Sequence, residues 1–210
     1  MTKPAATPRP AEVAWLLEPS ISYALAEVAA VTPEFLSRPT PCREWDLRML
    51  LRHACESLAT IGAGIEAGCV GLNPAAEDDD VAADPARAFR ARARELLDAW
   101  AHPCQVIEIV GCPLAAGLMA ATAALEIAVH GWDITRACGR GQPIPPVLAT
   151  DLLVIAAVLV PATGRHPLFA VPVTVAATAT PSDRLAAFLG RTPGDSMLSA
   201  SSQPTPSRLE

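Results

Sequence analysis

Glu126 and His130 stand four residues apart, with Asp133 close behind, in the run Ala124-Leu125-Glu126-Ile127-Ala128-Val129-His130-Gly131-Trp132-Asp133. On a helix, the carboxylate and the imidazole stack one turn apart on one face, and Asp133 follows a further turn along. The stretch around them, from Leu114 to Ala137, is among the most apolar in the chain. Leu125, Val129 and Trp132 occupy the neighbouring face, and Ile127, Ala128 and Ile134 cover much of the rest. An ionisable stripe on a helix that is otherwise apolar all round must find partners inside the protein, because a buried charge left unpaired is costly. A metal ion is one such partner. A local Glu–His pair within the helix is the plainer alternative.

A third ligand must come from elsewhere, and the chain holds only four histidines. His102 and His166 each precede a proline, which favours extended or turn backbone. His53 lies in an amphipathic pattern that begins near Asp46. There Leu47, Leu50, Leu51, Ala54, Leu58 and Ile61 recur at i, i+3, i+4, i+7, i+11 and i+14. His53 falls on the flank of that stripe, beside the line through Leu50 and Ser57, where it can look along a seam between two helices. It is the best candidate to complete a His–Glu–His site with Glu126 and His130. Two neutral nitrogens and one carboxylate leave a zinc ion with net positive charge and an open position. That position takes water, or a thiol that becomes a thiolate near neutral pH. The same donors also suit Fe(II), Ni(II) or Mn(II).

The elements that must position these groups read as a helical bundle. Helices are expected over 11–31 with a bend at Pro19, 46–64, 85–100, 114–138 and 145–160. Asp46 and Asp84 serve as N-caps and Pro85 occupies a first helical position. Gln105 to Val110 is strand-like but isolated, Leu168 to Ala176 is extended, and Ser182 to Leu189 forms a short last helix. Trp45 and Trp132 read as core packing residues. Asp133 has two readings, one orienting a metal ligand and the other hydrogen-bonding near the helix end. Cys42, in the loop before His53, and Cys55, beside it on the helix, read first as small buried residues and second as groups near the metal.

Composition bounds the function. Hydrophobic residues make up 51% of 210 residues, much of that alanine, which fits one helical core. A net charge of -6 and the absence of a basic cluster with interleaved aromatics argue against nucleic acid. The densest basic run, Arg87, Arg90, Arg92 and Arg94, reads as a solvated helix face. The first ten residues lack the apolar core of a secretory signal, and Leu152 to Thr163 is too short to span a bilayer. Six cysteines without a C-x-x-C motif fit a reduced, cytoplasmic setting. Few charges and much surface alanine make a homodimer reasonable. A small-molecule substrate is expected, with no nucleic acid and no membrane.

Three blocks carry a resemblance. Pro39-Thr40-Pro41-Cys42-Arg43-Glu44-Trp45-Asp46-Leu47-Arg48-Met49-Leu50-Leu51-Arg52-His53 resembles the T-P-C-x-x-W-D block of the actinobacterial DinB-like metal-binding proteins. These are relatives of mycothiol-dependent maleylpyruvate isomerase. Glu126 to Asp133 is similar to the second family block, E-x-x-x-H-x-W-D. Asp183-Arg184-Leu185-Ala186-Ala187-Phe188-Leu189-Gly190-Arg191-Thr192-Pro193 resembles the ending of the family's shorter branch.

The resemblance implies a mainly α fold, a DinB-like four-helix bundle with a short C-terminal extended segment and a small helix. It would cover residues 10–195, with a Ser/Pro-rich disordered tail over 196–210. It also implies a divalent metal, usually zinc, on His53, Glu126 and His130. A low-molecular-weight thiol such as mycothiol would serve as co-substrate in S-transfer to, or isomerisation of, a small electrophile. In the resemblance, maleylpyruvate isomerase itself carries a further C-terminal domain with a catalytic arginine, which is not expected in a chain of this length whose ending follows the shorter branch. Arg184 and Arg191 match arginines of the shorter ending, and surface salt bridges or helix-end contacts are the plain reading for both. Two other classes stay open: a thiol-independent metal hydrolase, lyase or cyclase, and a non-catalytic metal or small-molecule binding protein.

Overall fold

The computed structural model describes residues 14–42, 44–70, 79–101, 106–109, 111–165 and 169–194. His102, Cys104, His166 and the expected tail over 196–210 lie outside the described residues.

Helix α1 spans Leu17–Val28 and follows a 3-10 turn at Ala14–Leu16. Pro19 therefore sits in the first turn rather than at a bend, where its missing N–H has no intrahelical acceptor to lose. Helix α2 spans Leu47–Ala67, starting where the Asp46 carboxylate accepts the Met49 N–H at 2.8 Å. It ends at Gly68, whose φ of 69° supplies the left-handed C-cap. The short helix α3, Asp79–Ala83, leads into α4, Pro85–Trp100, where Asp84 accepts the Arg87 N–H at 2.9 Å and Pro85 takes the first position. Helix α5 spans Ala116–Ala137, α6 spans Pro146–Leu159 and α7 spans Pro181–Phe188.

Helices α1, α2, α4 and α5 close a bundle: α1 packs on α5 and α4, and α2 packs on α4 and α5. The expected mainly α, DinB-like fold is therefore the fold observed. The apolar stripe read from sequence is the buried side of α2, with Leu47, Leu50, Leu51, Ala54, Leu58 and Ile61 all in the core. Helix α5 is buried on nearly every side, and its small residues let α1 come close. A Cβ on Gly131 would stand 3.0 Å from the Tyr23 ring and 3.2 Å from Ala24 Cα. Outside the bundle, α6 rests on α5, and α7 rests on α6.

The segment read as an isolated strand is paired on both sides. Strand β2, Val106–Ile109, runs parallel to β1, Cys69–Val70, and antiparallel to β3, Cys112–Ala115. Its partners gave no periodic signal because β1 has two residues and β3 contains Pro113. The strand also moves the start of α5 two residues beyond the expected Leu114. Past Phe169, the segment expected to be extended forms no ladder, and its Val173 N–H donates to Ala187 O at 2.9 Å. No disulfide links the described cysteines. Among the described residues, no helix is long and apolar enough to cross a membrane.

Candidate metal centre

Helices α2 and α5 bring His53, Glu126 and His130 to one point between them. His53 Nε2 lies 3.2 Å from Glu126 Oε1, and the two imidazoles meet edge to face with centroids 5.3 Å apart. One ligand atom from each of the three residues falls within 4.8 Å of the other two. Donors about 2.1 Å from a shared ion stand about 3.4 Å apart in a tetrahedron. The His53–Glu126 pair already has that spacing, so small side-chain rotations close the set.

Ser57, one turn after His53, donates its hydroxyl to the same Glu126 oxygen at 2.5 Å. Burial pushes the Glu126 carboxyl upward. The hydrogen bonds from His53 and Ser57 and the two imidazoles outweigh it and hold the carboxyl below its usual range. An ionised carboxylate flanked by two imidazoles is the state a cation would bind.

Behind His130 stands a second layer. Asp133 is fully buried and accepts from His130 Nδ1 at 3.1 Å, a contact that fits both of its readings, a bond near the helix end and a carboxylate that orients the imidazole. An acceptor-only carboxylate on Nδ1 puts that ring's proton there and leaves Nε2 as the lone pair. Arg191, 9% exposed, forks onto the same carboxylate, with Nη2 at 2.7 Å from Oδ2 and Nε at 3.2 Å from Oδ1. Burial raises the Asp133 pKa. The Arg191 charge and the bonds from His130 and Arg191 outweigh that and keep it low. In return, Asp133 holds the guanidinium protonated against its own burial.

Cys42 joins this layer, its Sγ 3.8 Å from Arg191 Nη2. Burial and Asp133 push the thiol pKa up, with Arg191 opposing them. Cys42, His130 and Asp133 form another cluster of metal-ligand spacing. Both Asp133 oxygens already serve a guanidinium, however, so a second cation would compete with a buried charge pair. The donor chemistry favours the His53 set.

Of the three residues, His53 also faces an open pocket of about 310 Å³ on the outer side of α2, lined by Trp45, Met49, Arg52, His53 and Glu56. Trp45 is half-buried and its ring lies 4.8 Å from that of His53, so it lines the mouth as well as packing on the core. Trp132 is a core residue, 1% exposed, as expected. Cys55 points away, toward Pro85 O at 3.6 Å on α4. Arg184 is exposed and donates to Ala177 O, the plain structural role. Arg191 keeps a helix-end contact, Nη1 to Leu189 O, but is buried and also bonds Asp133, because Gly190, at φ 83°, turns the chain back into the bundle.

The role of Ser57 escaped the sequence reading, although its i+4 spacing from His53 was a usable signal. Arg191 was singled out by the family ending, but its bond to Asp133 had no periodic signal, since 58 residues separate the two.

Residues 17–135 match the mycothiol maleylpyruvate isomerase N-terminal domain. The chain is 30% identical over 172 residues to two Mycobacterium tuberculosis proteins, the uncharacterized protein Rv0738 of strain H37Rv and the uncharacterized protein MT0763 of strain CDC 1551. Each alignment covers 80% of this chain and 91% of the relative. No solved structure matches. A match over more than half of the chain, with the bundle and the His–Glu–His cluster now described, places this protein in the mycothiol maleylpyruvate isomerase N-terminal domain family.

Proposed function

We propose that this protein is a metal-dependent enzyme that holds a divalent ion, zinc in our reading, on His53, Glu126 and His130. In this reading it activates a low-molecular-weight thiol of the mycothiol type for S-transfer to, or isomerisation of, a small electrophile. The observation that carries the metal reading is the convergence of two imidazoles and an ionised carboxylate, with His53 also lining an open pocket. Membership of a family whose description names mycothiol supports the thiol. When bound, such an ion supplies a positive centre with an open position that lowers the pKa of a thiol or water.

The chain's own groups do the rest. Asp133 keeps the proton of His130 on Nδ1, and Ser57 fixes one oxygen of Glu126. Trp45 and Met49 supply the apolar part of the pocket beside His53. Arg52 and Glu56, one turn apart at the rim, offer a cation and an anion to the polar groups of a small substrate.

The test is metal content by mass spectrometry beside a His53→Ala, His130→Ala double variant, followed by titration of the cobalt-substituted protein with mycothiol. One divalent ion per chain, absent from the folded double variant, and a visible spectrum that responds to the thiol are expected. A silent spectrum at saturating thiol, with thiol-free turnover of activated esters that is lost in Glu126→Ala, would instead mark a hydrolase. Ligand binding that survives metal removal would mark a binding protein.

A further inference from the structure

We propose that Arg191 is a positioning residue of the metal site: through Asp133 it fixes the ring of His130, so the segment beyond the matched domain completes the centre. The proposal rests on the metal reading given above and extends it to a residue 56 positions past the end of the family match at residue 135.

The fork geometry carries the argument. Nε and Nη2 of Arg191 meet the two different oxygens of Asp133, which locks the plane of the carboxylate. Oδ2 of that locked plane is also the acceptor of His130 Nδ1. With the carboxylate held, the imidazole bonded to it is held too, and Nε2, the ring nitrogen that Asp133 does not engage, is the one left to serve with His53 and Glu126.

Arg191 is itself over-determined. Its Nη1 donates to Leu189 O at 3.3 Å, its backbone N–H donates to Ala186 O at 2.9 Å, and Gly190 sets the turn before it. A residue that only stapled α7 to the bundle would need none of this aim. Arg165 shows what stapling looks like: its Nη2 donates to Phe188 O at 2.6 Å and touches no group of the site.

Metal affinity, measured by chelator competition, and the cobalt d–d spectrum separate the two roles in the full chain. Arg191→Lys keeps the charge and loses the fork. It is expected to weaken metal binding about 10–100-fold, the usual effect of losing a group that orients a ligand, and to alter the cobalt spectrum. The double variant Asp133→Asn, Arg191→Met removes both charges, so no buried ion is left unpaired. It is expected to fold and to show the same loss. Arg165→Met is expected to lower the urea midpoint and leave affinity and spectrum unchanged.

Metal affinities within twofold of wild type in both Arg191 variants would overturn the positioning role and leave the metal reading standing. Wild-type protein that takes up no ion, even after reconstitution, would overturn both.

Discussion

Replacing Gly190 by alanine adds one methyl group at a position that touches none of His53, Glu126 and His130, and the structure specifies what that methyl meets. The residue has φ 83°, a left-handed conformation that costs a non-glycine residue roughly 1–2 kcal/mol. A Cβ there would stand 2.6 Å from Ala170 Cβ and 2.9 Å from the Ala170 carbonyl carbon and oxygen. Because part of the obstacle is backbone, it cannot rotate away, and overpacking of this kind costs about 1–3 kcal/mol. Alanine recovers about 0.4–1 kcal/mol by restricting the unfolded chain. The net expectation is a loss of about 2–4 kcal/mol, read as a lowered urea midpoint at unchanged slope.

Two other glycines isolate the contributions. Gly164 also has a positive φ, 67°, but nothing lies within 4 Å of its would-be Cβ, so Gly164→Ala pays only for backbone strain, about 1 kcal/mol net. Gly62, inside α2 with equally open space, is expected to stabilise by about 0.5–1 kcal/mol when changed to alanine. The order Gly190, then Gly164, then Gly62 is the forecast. A Gly190→Ala variant no less stable than Gly164→Ala would refute the claim that Ala170 blocks this position.

Asp46→Ala removes the side-chain cap of α2 and is expected to cost about 1 kcal/mol, measured by the same denaturation. The folded carboxyls of Glu126 and Asp133 lie below their unfolded values of about 4.3 and 3.9, so between the two sets of pKa values the unfolded chain binds more protons. Their contribution to the stability of the metal-free protein is complete above those unfolded values and disappears as pH falls through the folded ones. Urea midpoints from pH 6 down to 3 should fall more gently in Glu126→Gln than in wild type, and parallel curves would contradict the assignment. Alkylation followed by peptide mass spectrometry should modify exposed Cys69 and Cys112 first, Cys42 more slowly, and buried Cys55 and Cys138 only on unfolding. Fast labelling of Cys42 would contradict its raised pKa.

Local rules carried the sequence reading as far as local interactions reach. The caps at Asp46 and Asp84, the proline at Pro85 and the 3.6-residue spacing of the α2 leucines act within one or two turns, and those elements appear where expected. The approach of His53 to Glu126 and His130 was legible because His53 flanks an apolar stripe and the other two form a polar stripe on a helix otherwise apolar all round, which must find its partners inside the bundle. The pairing of β2 with Cys69–Val70 was not legible, since a two-residue strand has no period. Nor was the Arg191 fork, whose energy depends on a turn at Gly190 and a carboxylate 58 residues away. Nothing local distinguishes such an arginine from a solvated one until its partner is known.

Helix α2 shows two unlike faces to the molecule. Its inner leucines are locked into the core, whereas Met49, 46% exposed, and the exposed Arg52 and Glu56 face the open cavity. Surface substitutions of that kind usually shift stability by no more than about 0.5 kcal/mol. The rim can therefore be rewritten at nearly no thermodynamic cost while the imidazoles and carboxylate beneath it stay in register. A bundle built this way is well suited to diversification. The His–Glu–His cluster can stay fixed while the residues around its rim change, and a combinatorial library at Met49, Arg52 and Glu56 would test that tolerance directly.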